Sequence, residues 1–407
     1  MSVASGIRPT AVTVDLQALR TNAATLQRRG GGHPLCAVVK ADAYGHGAVA
    51  VARELELAGA AFLGVTLVEE GVALRDAGIR APILVLGGAF GSQGFAAVVE
   101  QRLTPVIWRA DHLAELAAAA RGSGIAYHLK VDTGMARLGA QADELAAFLA
   151  AAKDTPQLKL DGFMSHFASA DVVGDPKNVE QVASYTSAIA QVRQQGFSPR
   201  WLHFANTPAL LTGVHGGAHT LLRPGGGLYG LDTRDKHAGD DPLQPILRWA
   251  TKPIHVKHVP AGTTVSYGAR WTAKRDSIVA TLPVGYADGY PRIMTGKAKV
   301  LVKGELAPVV GTICMDLCLA DVTDIPGVAD DDEVVLIGEQ GNRRLSADDL
   351  AGWAGTISYE ITCGIGPRVP RRYLASSAIT TSPGTSTSGT STTTMRAQPL
   401  AAQGHDA

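Results

Sequence analysis

Lys40 stands at the end of the apolar run LCAVV and opens a loop, KADAYGHG, that carries Asp42, Tyr44, His46 and two glycines. An ammonium aimed out of a hydrophobic strand is either a charge escaping to water or an amine held for covalent chemistry with a carbonyl. Four further segments put polar groups after apolar runs. Lys130 opens DTGMARLG, which carries Arg137. His166 lies in FMSHFASAD, Asn206 and Thr207 in HFANTPAL, and Arg223 in LLRPGGGLYG. Consecutive glycines such as Gly225 and Gly226 let backbone N–H groups ring an anion, and Thr207 adds a hydroxyl. The plain alternative is a flexible turn.

The elements that must position these groups come next. From Pro34 to about Gly230, eight short apolar runs alternate with patterns whose apolar residues recur at helical spacing, as in GAVAVARELELAGA. The runs fall at LCAVV, AFLGV, PILVLG, LTPVI, AYHLKV, KLDGFM, RWLHFA and AHTLLR. Such alternation favours a parallel sheet, and eight repeats favour closure into a (β/α)8 TIM-like barrel. An open doubly wound sheet is the alternative. Barrel enzymes gather their chemistry at the C-terminal ends of strands and hold phosphate near the seventh and eighth. Lys40, Lys130, His166, Asn206, Thr207 and Arg223 all follow strands in that way. A glycine loop for a phosphate, facing a lysine from the first strand, suits pyridoxal 5'-phosphate, whose aldehyde forms a Schiff base with an amine.

After about Leu231 the runs become short and β-branched, as in PIHVKHV, SIVATLPVG and KAKVLVKG, with glycine and proline between them. This reads as a mostly antiparallel β-domain. The expected division is a barrel over 10–235, a β-domain over 242–375 joined through TRDKHAGDDP, and a Ser/Thr/Gly/Pro-rich tail over 376–407 that buries too little to order. Equal numbers of acidic and basic residues, 37 each, argue against nucleic acid or an anionic membrane as a partner. Cys36, Cys314, Cys318 and Cys363 read as reduced core residues, and no companion ligands turn Cys314 and Cys318 into a metal site. The N-terminus lacks the basic start and apolar stretch of a signal peptide, and no run is long enough to span a membrane, so a cytoplasmic enzyme is expected.

In order along the chain, VVKADAYGHG, KVDTGMARLG, SHFASAD, HFANTPAL, RPGGGLYG, VSYGARW, GYADGY, GTICMDL and SYEITCGIGPRVPR resemble the alanine racemase family, pyridoxal-phosphate enzymes of fold-type III. The resemblance implies a barrel plus β-domain, a homodimer with shared active sites, and interconversion of L- and D-alanine to supply peptidoglycan. It also implies a two-base mechanism on the cofactor aldimine. A proton removed from one face and returned to the same face regenerates the starting enantiomer, so one acid/base group is needed on each side. By resemblance, Lys40 anchors the cofactor and serves the D side, while Tyr267, from the second subunit, serves the L side. Arg223 faces the pyridine nitrogen, and His166 links Arg223 to Tyr267.

Tyr44, Asn206, Thr207, Gly225 and Gly226 fall among the family's cofactor contacts. Arg137 and Met315 fall where it holds the substrate carboxylate, and Tyr286 lies at the entrance. Lys130 matches a lysine that some relatives carbamylate. Read alone, Tyr267 is a half-buried strand aromatic, His166 a satisfied core group and Lys130 an unmodified lysine. Pro367 is read as standing where many members have a tyrosine that contacts phosphate, which leaves serine and larger amino acids open as substrates. An amino-acid decarboxylase would put a carboxylate where Arg223 stands, and a non-catalytic cofactor carrier would lack the β-domain.

Overall fold

The computed structural model describes residues 7–214, 217–231, 242–374 and 392–393. They form two compact units, one of residues Leu19–Ala43 and Ala48–Gln244, the other of residues up to Ala18, Tyr44–Gly47 and those from Pro245. In chain order the first strands are β1 (Ala11–Asp15), β2 (Cys36–Val38), β3 (Phe62–Val65), β4 (Ile83–Val85), β5 (Thr104–Ile107), β6 (Ile125–Lys130), β7 (Leu158–Met164) and β8 (Trp201–His203).

Strands β2 to β8 pair in sequence order, all parallel. Every residue of β2, β3 and β4 is buried, as a sheet with both faces covered requires. The expected eighth strand is reduced to two bridge residues, Leu222 opposite Leu35 and Arg223 opposite Asn206. It still closes the ring. Leu222 donates to Pro34 O (2.9 Å) and accepts from Cys36 N (2.7 Å), while Arg223 N donates to Ala205 O (3.0 Å). Pro224 follows and has no N–H to continue a ladder.

In the second unit the strands are β9 (Leu247–Thr251), β10 (His255–Val259), β11 (Thr264–Val265), β12 (Trp271–Thr272), β13 (Ser277–Leu282), β14 (Lys299–Val302), β15 (Glu305–Val310), β16 (Cys318–Asp321), β17 (Val334–Gln340), β18 (Arg343–Leu345) and β19 (Arg371–Leu374). Their main path runs β10-β13-β16-β15-β14-β17-β9-β1-β19. All pairs on it are antiparallel except β1 with β19. The expected division put the start of the chain in the barrel. Instead β1 lies between β9 and β19, with Val12 and Val14 fully buried. Alternation marks β1 as a strand, but its partners lie more than two hundred residues away, where no local pattern reaches.

The expected linker lies outside the described residues, Pro242 apart. So does the expected tail, except Thr392–Thr393, which pair antiparallel with β19. All four cysteines are free, yet only Cys36 and Cys318 are core residues; Cys314 is half-buried and Cys363 exposed. Among the described residues no helix is long and apolar enough to cross a membrane.

Candidate active site

Strand β2 stops at Val38, and Lys40 begins a helical turn of the opposite hand. Ala41, Asp42, Ala43 and Tyr44 have φ of +52°, +52°, +54° and +55°, the left-handed region, which costs a non-glycine residue roughly 1–2 kcal/mol. Four in succession persist only when their surroundings dictate them. Ala43 N donates to Val39 O (2.9 Å), Ala41 N to Glu70 Oε1 (2.6 Å), and Ala48 N to Asp42 Oδ1 (2.6 Å). Lys40 is thus moored at the strand end by a strained turn bonded on both sides. A lysine merely reaching for water needs no such mooring.

Arg223 is 3 % exposed, and its donors can be counted. NH1 donates to His203 Nδ1 (3.0 Å) and His203 O (2.6 Å). NH2 donates to Ser165 O (2.6 Å) and His166 Nδ1 (3.2 Å), with Phe204 O nearby at 3.3 Å. A guanidinium has five N–H groups. Nε–H is the one that takes no acceptor among the described residues. Burial pulls the Arg223 pKa down to about 10, which leaves it cationic at neutral pH.

Because Arg223 only donates, it fixes the tautomers around it. His166 must accept at Nδ1 and carry its proton on Nε2. His203 must do the same, and its Nε2–H then donates to His128 Nδ1 (2.8 Å). Burial, then the Arg223 charge, holds His166 and His203 well below the usual histidine range, and burial takes His128 to about 3. All three rings are neutral at physiological pH. A β-bulge in the β6–β7 pairing sets His128 opposite Gly162, where a Cβ would lie 2.3 Å from its ring.

The glycine loop is a folded turn. Gly226–Tyr229 form a 3₁₀ helix, and Thr207 Oγ1 accepts from both Gly225 N (2.9 Å) and Gly227 N (3.2 Å). Those two bonds use both lone pairs of the hydroxyl and leave its proton to donate outward. A Cβ on Gly227 would sit 2.8 Å from Thr207 Cγ2, so the contact requires glycine there. Gly226 opens the turn, and the first N–H groups of a helix have no partner within it. Asn206 caps the next helix, accepting from Ala209 N (3.1 Å).

Lys130 ends β6 and is 5 % exposed. Burial first, then the charges of Arg223, Arg137 and Lys40, lower its pKa to about 8 against a smaller opposing pull from Asp132. Burial alone would raise the Asp132 pKa, but bonds from Gly134, Ala136, Gln141 and Met135 hold it below the ordinary value. Those bonds shape the turn that carries Arg137, which is exposed in a cleft of about 400 Å³ shared with Trp108, Gly139 and Gln141. Lys40, Lys130, Arg137 and Arg223 make this end of the barrel strongly cationic.

The remaining expected site residues belong to the second unit. Tyr267, Met315 and Tyr286 are 75 %, 53 % and 41 % exposed. Their loops are stitched together. Thr312 Oγ1 donates to Tyr267 O (2.6 Å), Ser266 Oγ to Thr312 O (2.7 Å), Tyr286 N to Cys314 O and Ala287 N to Met315 O (both 3.0 Å). Fully buried Asp288 accepts from Gly285 N (3.1 Å) and Arg8 (2.8 Å) at the root of the Tyr286 turn. Three exposed side chains on rigid loops suit a role toward something outside this unit.

Tyr44 is half-buried, its ring edge-on to Tyr359 at 5.6 Å. Burial, then Tyr359, then Cys363, raises the Tyr44 pKa, so its phenol stays protonated and able to donate. The sequence alone points to position 367 and not to Tyr359. Pro367 is exposed in the turn before β19. The signal was present: Tyr359 lies in SYEITC, a segment already among those carrying the resemblance.

Residues 14–233 match the family described as alanine racemase, N-terminal domain, and residues 246–373 match alanine racemase, C-terminal domain. The alanine racemase of Geobacter sulfurreducens is 44 % identical over 379 residues, covering 90 % of this chain and 97 % of the relative. That of Symbiobacterium thermophilum is 44 % identical over 372 residues, covering 90 % and 98 %. Among solved structures, alanine racemase from D-cycloserine-producing Streptomyces lavendulae superposes with a TM-score of 0.85 at 35 % identity, over 92 % of this chain and 98 % of that one. Alanine racemase from Bacillus anthracis with bound L-Ala-P gives 0.84 at 34 % identity, over 91 % and 96 %.

Proposed function

The chain belongs to the alanine racemase family and its activity is the interconversion of L- and D-alanine; we propose that it does so with pyridoxal phosphate at the cationic end of the barrel, Lys40 and Tyr267 moving the protons. The observation that carries this reading is the spare Nε–H of Arg223, set in the same unit as the Thr207 hydroxyl and the moored Lys40. These groups fit the cofactor's pyridine nitrogen, phosphate and aldehyde in turn. When bound, the cofactor withdraws electrons from an attached amino acid and acidifies its α-hydrogen.

The protein's own groups supply the rest. The Thr207 proton and the Gly226 amide hold phosphate, with Tyr44 donating from its neutral phenol. Lys40 is the covalent anchor and takes or returns the proton on the D side. Tyr267, contributed by a second copy of the chain, does so on the L side, so the working unit is a homodimer. His166, with its proton fixed on Nε2, donates toward that phenol. Arg223 hydrogen-bonds the ring nitrogen and keeps its own proton, since a guanidinium is a very weak acid. This moderates electron withdrawal, restricts side reactions such as transamination, and speaks against a decarboxylase.

Arg137 and, from the second copy of the chain, the Met315 N–H bind the substrate carboxylate, with Tyr286 at the entrance. Lys130 is available for carbamylation, because its lowered pKa provides the neutral amine that adds to CO2 with loss of a proton. The resulting anion would sit beside Arg137. Tyr359, edge-on to Tyr44, offers a phenol near the expected phosphate contacts and so favours alanine over the broader substrates that Pro367 leaves open. In the cell we assign the enzyme to the cytoplasm and to D-alanine supply for peptidoglycan.

The test follows L-alanine with purified enzyme and pyridoxal phosphate. Optical rotation should fall to zero while total alanine stays constant and no CO2 forms. Lys40→Ala should lose the bound cofactor's visible absorbance after desalting. Constant rotation, CO2 release, or absorbance retained by the variant would each refute the assignment.

A further inference from the structure

Helix Pro176–Gln194 starts from Asp175, whose carboxylate accepts from Lys177 N (2.9 Å) with Pro176 in the first turn. It buries Asn178, Gln181, Tyr185, Ile189 and Val192, the stripe expected of an amphipathic helix. Two of these residues are polar, and buried polar groups need partners. Asn178 donates to Ser169 O (3.1 Å) and Val172 O (3.2 Å), which merely pins a surface loop.

Gln181 reaches further. It is fully buried. Its Nε2 donates to His166 O (3.0 Å) and Thr133 Oγ1 (3.2 Å), and its Oε1 accepts from Ala168 N (2.9 Å). The amide therefore grips the backbone on both sides of residue 167, as a paired strand would.

Counting protons fixes the direction of the circuit beyond it. Ser165 Oγ donates to Val131 O (2.9 Å), since a carbonyl only accepts. Its single proton being used, Thr133 must donate to Ser165 Oγ across 2.8 Å. Both Gln181 donors are used and its oxygen is engaged, so neither the amide nor the two hydroxyls can turn without losing a buried bond. The circuit joins the segment that carries Arg137 to the one that carries His166, and Ser165 O is itself an acceptor for Arg223.

We propose that Gln181 is a positioning residue for racemisation, holding the His166 segment in register with Arg223 so that the His166 ring stays aimed at the L-side proton carrier. The proposal rests on the function assigned above. Gln181 contacts neither substrate nor cofactor in that assignment and acts only through His166, Thr133 and Ser165.

The test uses the holoenzyme with two variants. Gln181→Glu keeps shape and the acceptor for Ala168 but replaces the donor that serves His166 and Thr133. Gln181→Leu removes all three bonds. With melting temperature and cofactor absorbance confirming the fold, both variants should lose about tenfold or more in kcat with KM little changed, because displacing a reacting group is costly. The α-deuterium isotope effect should rise for L-alanine and not for D-alanine, since only the L-side transfer is slowed. Amide hydrogen exchange at Ala168 in Gln181→Leu should quicken by about tenfold or more.

Wild-type kcat and isotope effects in a folded Gln181→Glu variant would overturn the proposal, since a role in filling space alone survives an isosteric change. Unchanged exchange at Ala168 would overturn it without reference to activity. Failure of the underlying assignment looks different: wild-type protein would not racemise alanine at all.

Discussion

The left-handed turn after Lys40 makes an unusual demand on stability. Ala41 is exposed with φ +52°, so replacing it with glycine removes no buried contact. The strain relieved is about 1–2 kcal/mol. Glycine's greater freedom in the unfolded chain costs about 0.5–1 kcal/mol. The net expectation is stabilisation by about 0–1.5 kcal/mol. Ala114 is the control: it is exposed within the right-handed helix Ala110–Ala120 and belongs to the same compact unit. There the same substitution should cost about 1 kcal/mol, which lowers the melting temperature by about 2–4 °C for a domain of this size. Calorimetry on holoenzyme variants should show Ala41→Gly melting at or above wild type and Ala114→Gly below it. Ala41→Gly should nevertheless turn over more slowly, because glycine lets the turn beside Lys40 leave the conformation its bonds hold and so loosens the amine. Equal losses of stability at the two positions would refute a left-handed turn, and with it this account of how Lys40 is held.

Tyr267→Phe should retain the cofactor while losing about 10²–10⁴-fold in racemisation, the usual contribution of a positioned acid/base; near-normal turnover would contradict the two-base scheme. Mixing Lys40→Ala and Tyr267→Phe proteins should restore about a quarter of wild-type activity under random two-fold pairing, since each hybrid dimer rebuilds one of its two sites. No recovery after proven subunit exchange would rule out a shared site. For Lys130 the folded pKa is about 8 against 10.5 for an ordinary lysine, so between those values the unfolded chain binds a proton that the native state does not. Wild type should therefore gain stability relative to Lys130→Met as pH rises above about 8 in CO2-free buffer. Bicarbonate should remove the trend if the lysine is carbamylated, and a trend indifferent to bicarbonate would argue against the modification.

Much of the barrel is legible in the chain because parallel strands covered on both faces leave continuous apolar runs, and because polar groups at their ends interrupt those runs abruptly. Lys40, Lys130, His166 and Arg223 stand out for that reason. What stays hidden has a common physical origin. The four left-handed residues, ADAY at 41–44, have ordinary side chains and no glycine comes until Gly45, so nothing local announces a left-handed turn; it is held by a bond from Ala41 N to Glu70 and one from Ala48 N to Asp42. The membership of β1 in the second sheet is likewise decided by partners at Trp249 and Arg371.

The same distinction separates the kind of residue found from the work it does. The arginine of RPGGG can be noticed in the sequence, but its spare donor emerges only when His203, Ser165 and His166 have claimed the other four N–H groups. Gln181 is harder still. On a helix stripe otherwise continued by Tyr185, Ile189 and Val192, its burial is readable as a polar interruption, whereas its partners at residues 133, 166 and 168 are set by two other loops. A hydrophobic pattern records which face is buried; it carries no information about which donor meets which acceptor there. That information resides in proton counts within the folded chain, where a guanidinium that can only give leaves each neighbouring imidazole a single way to accept.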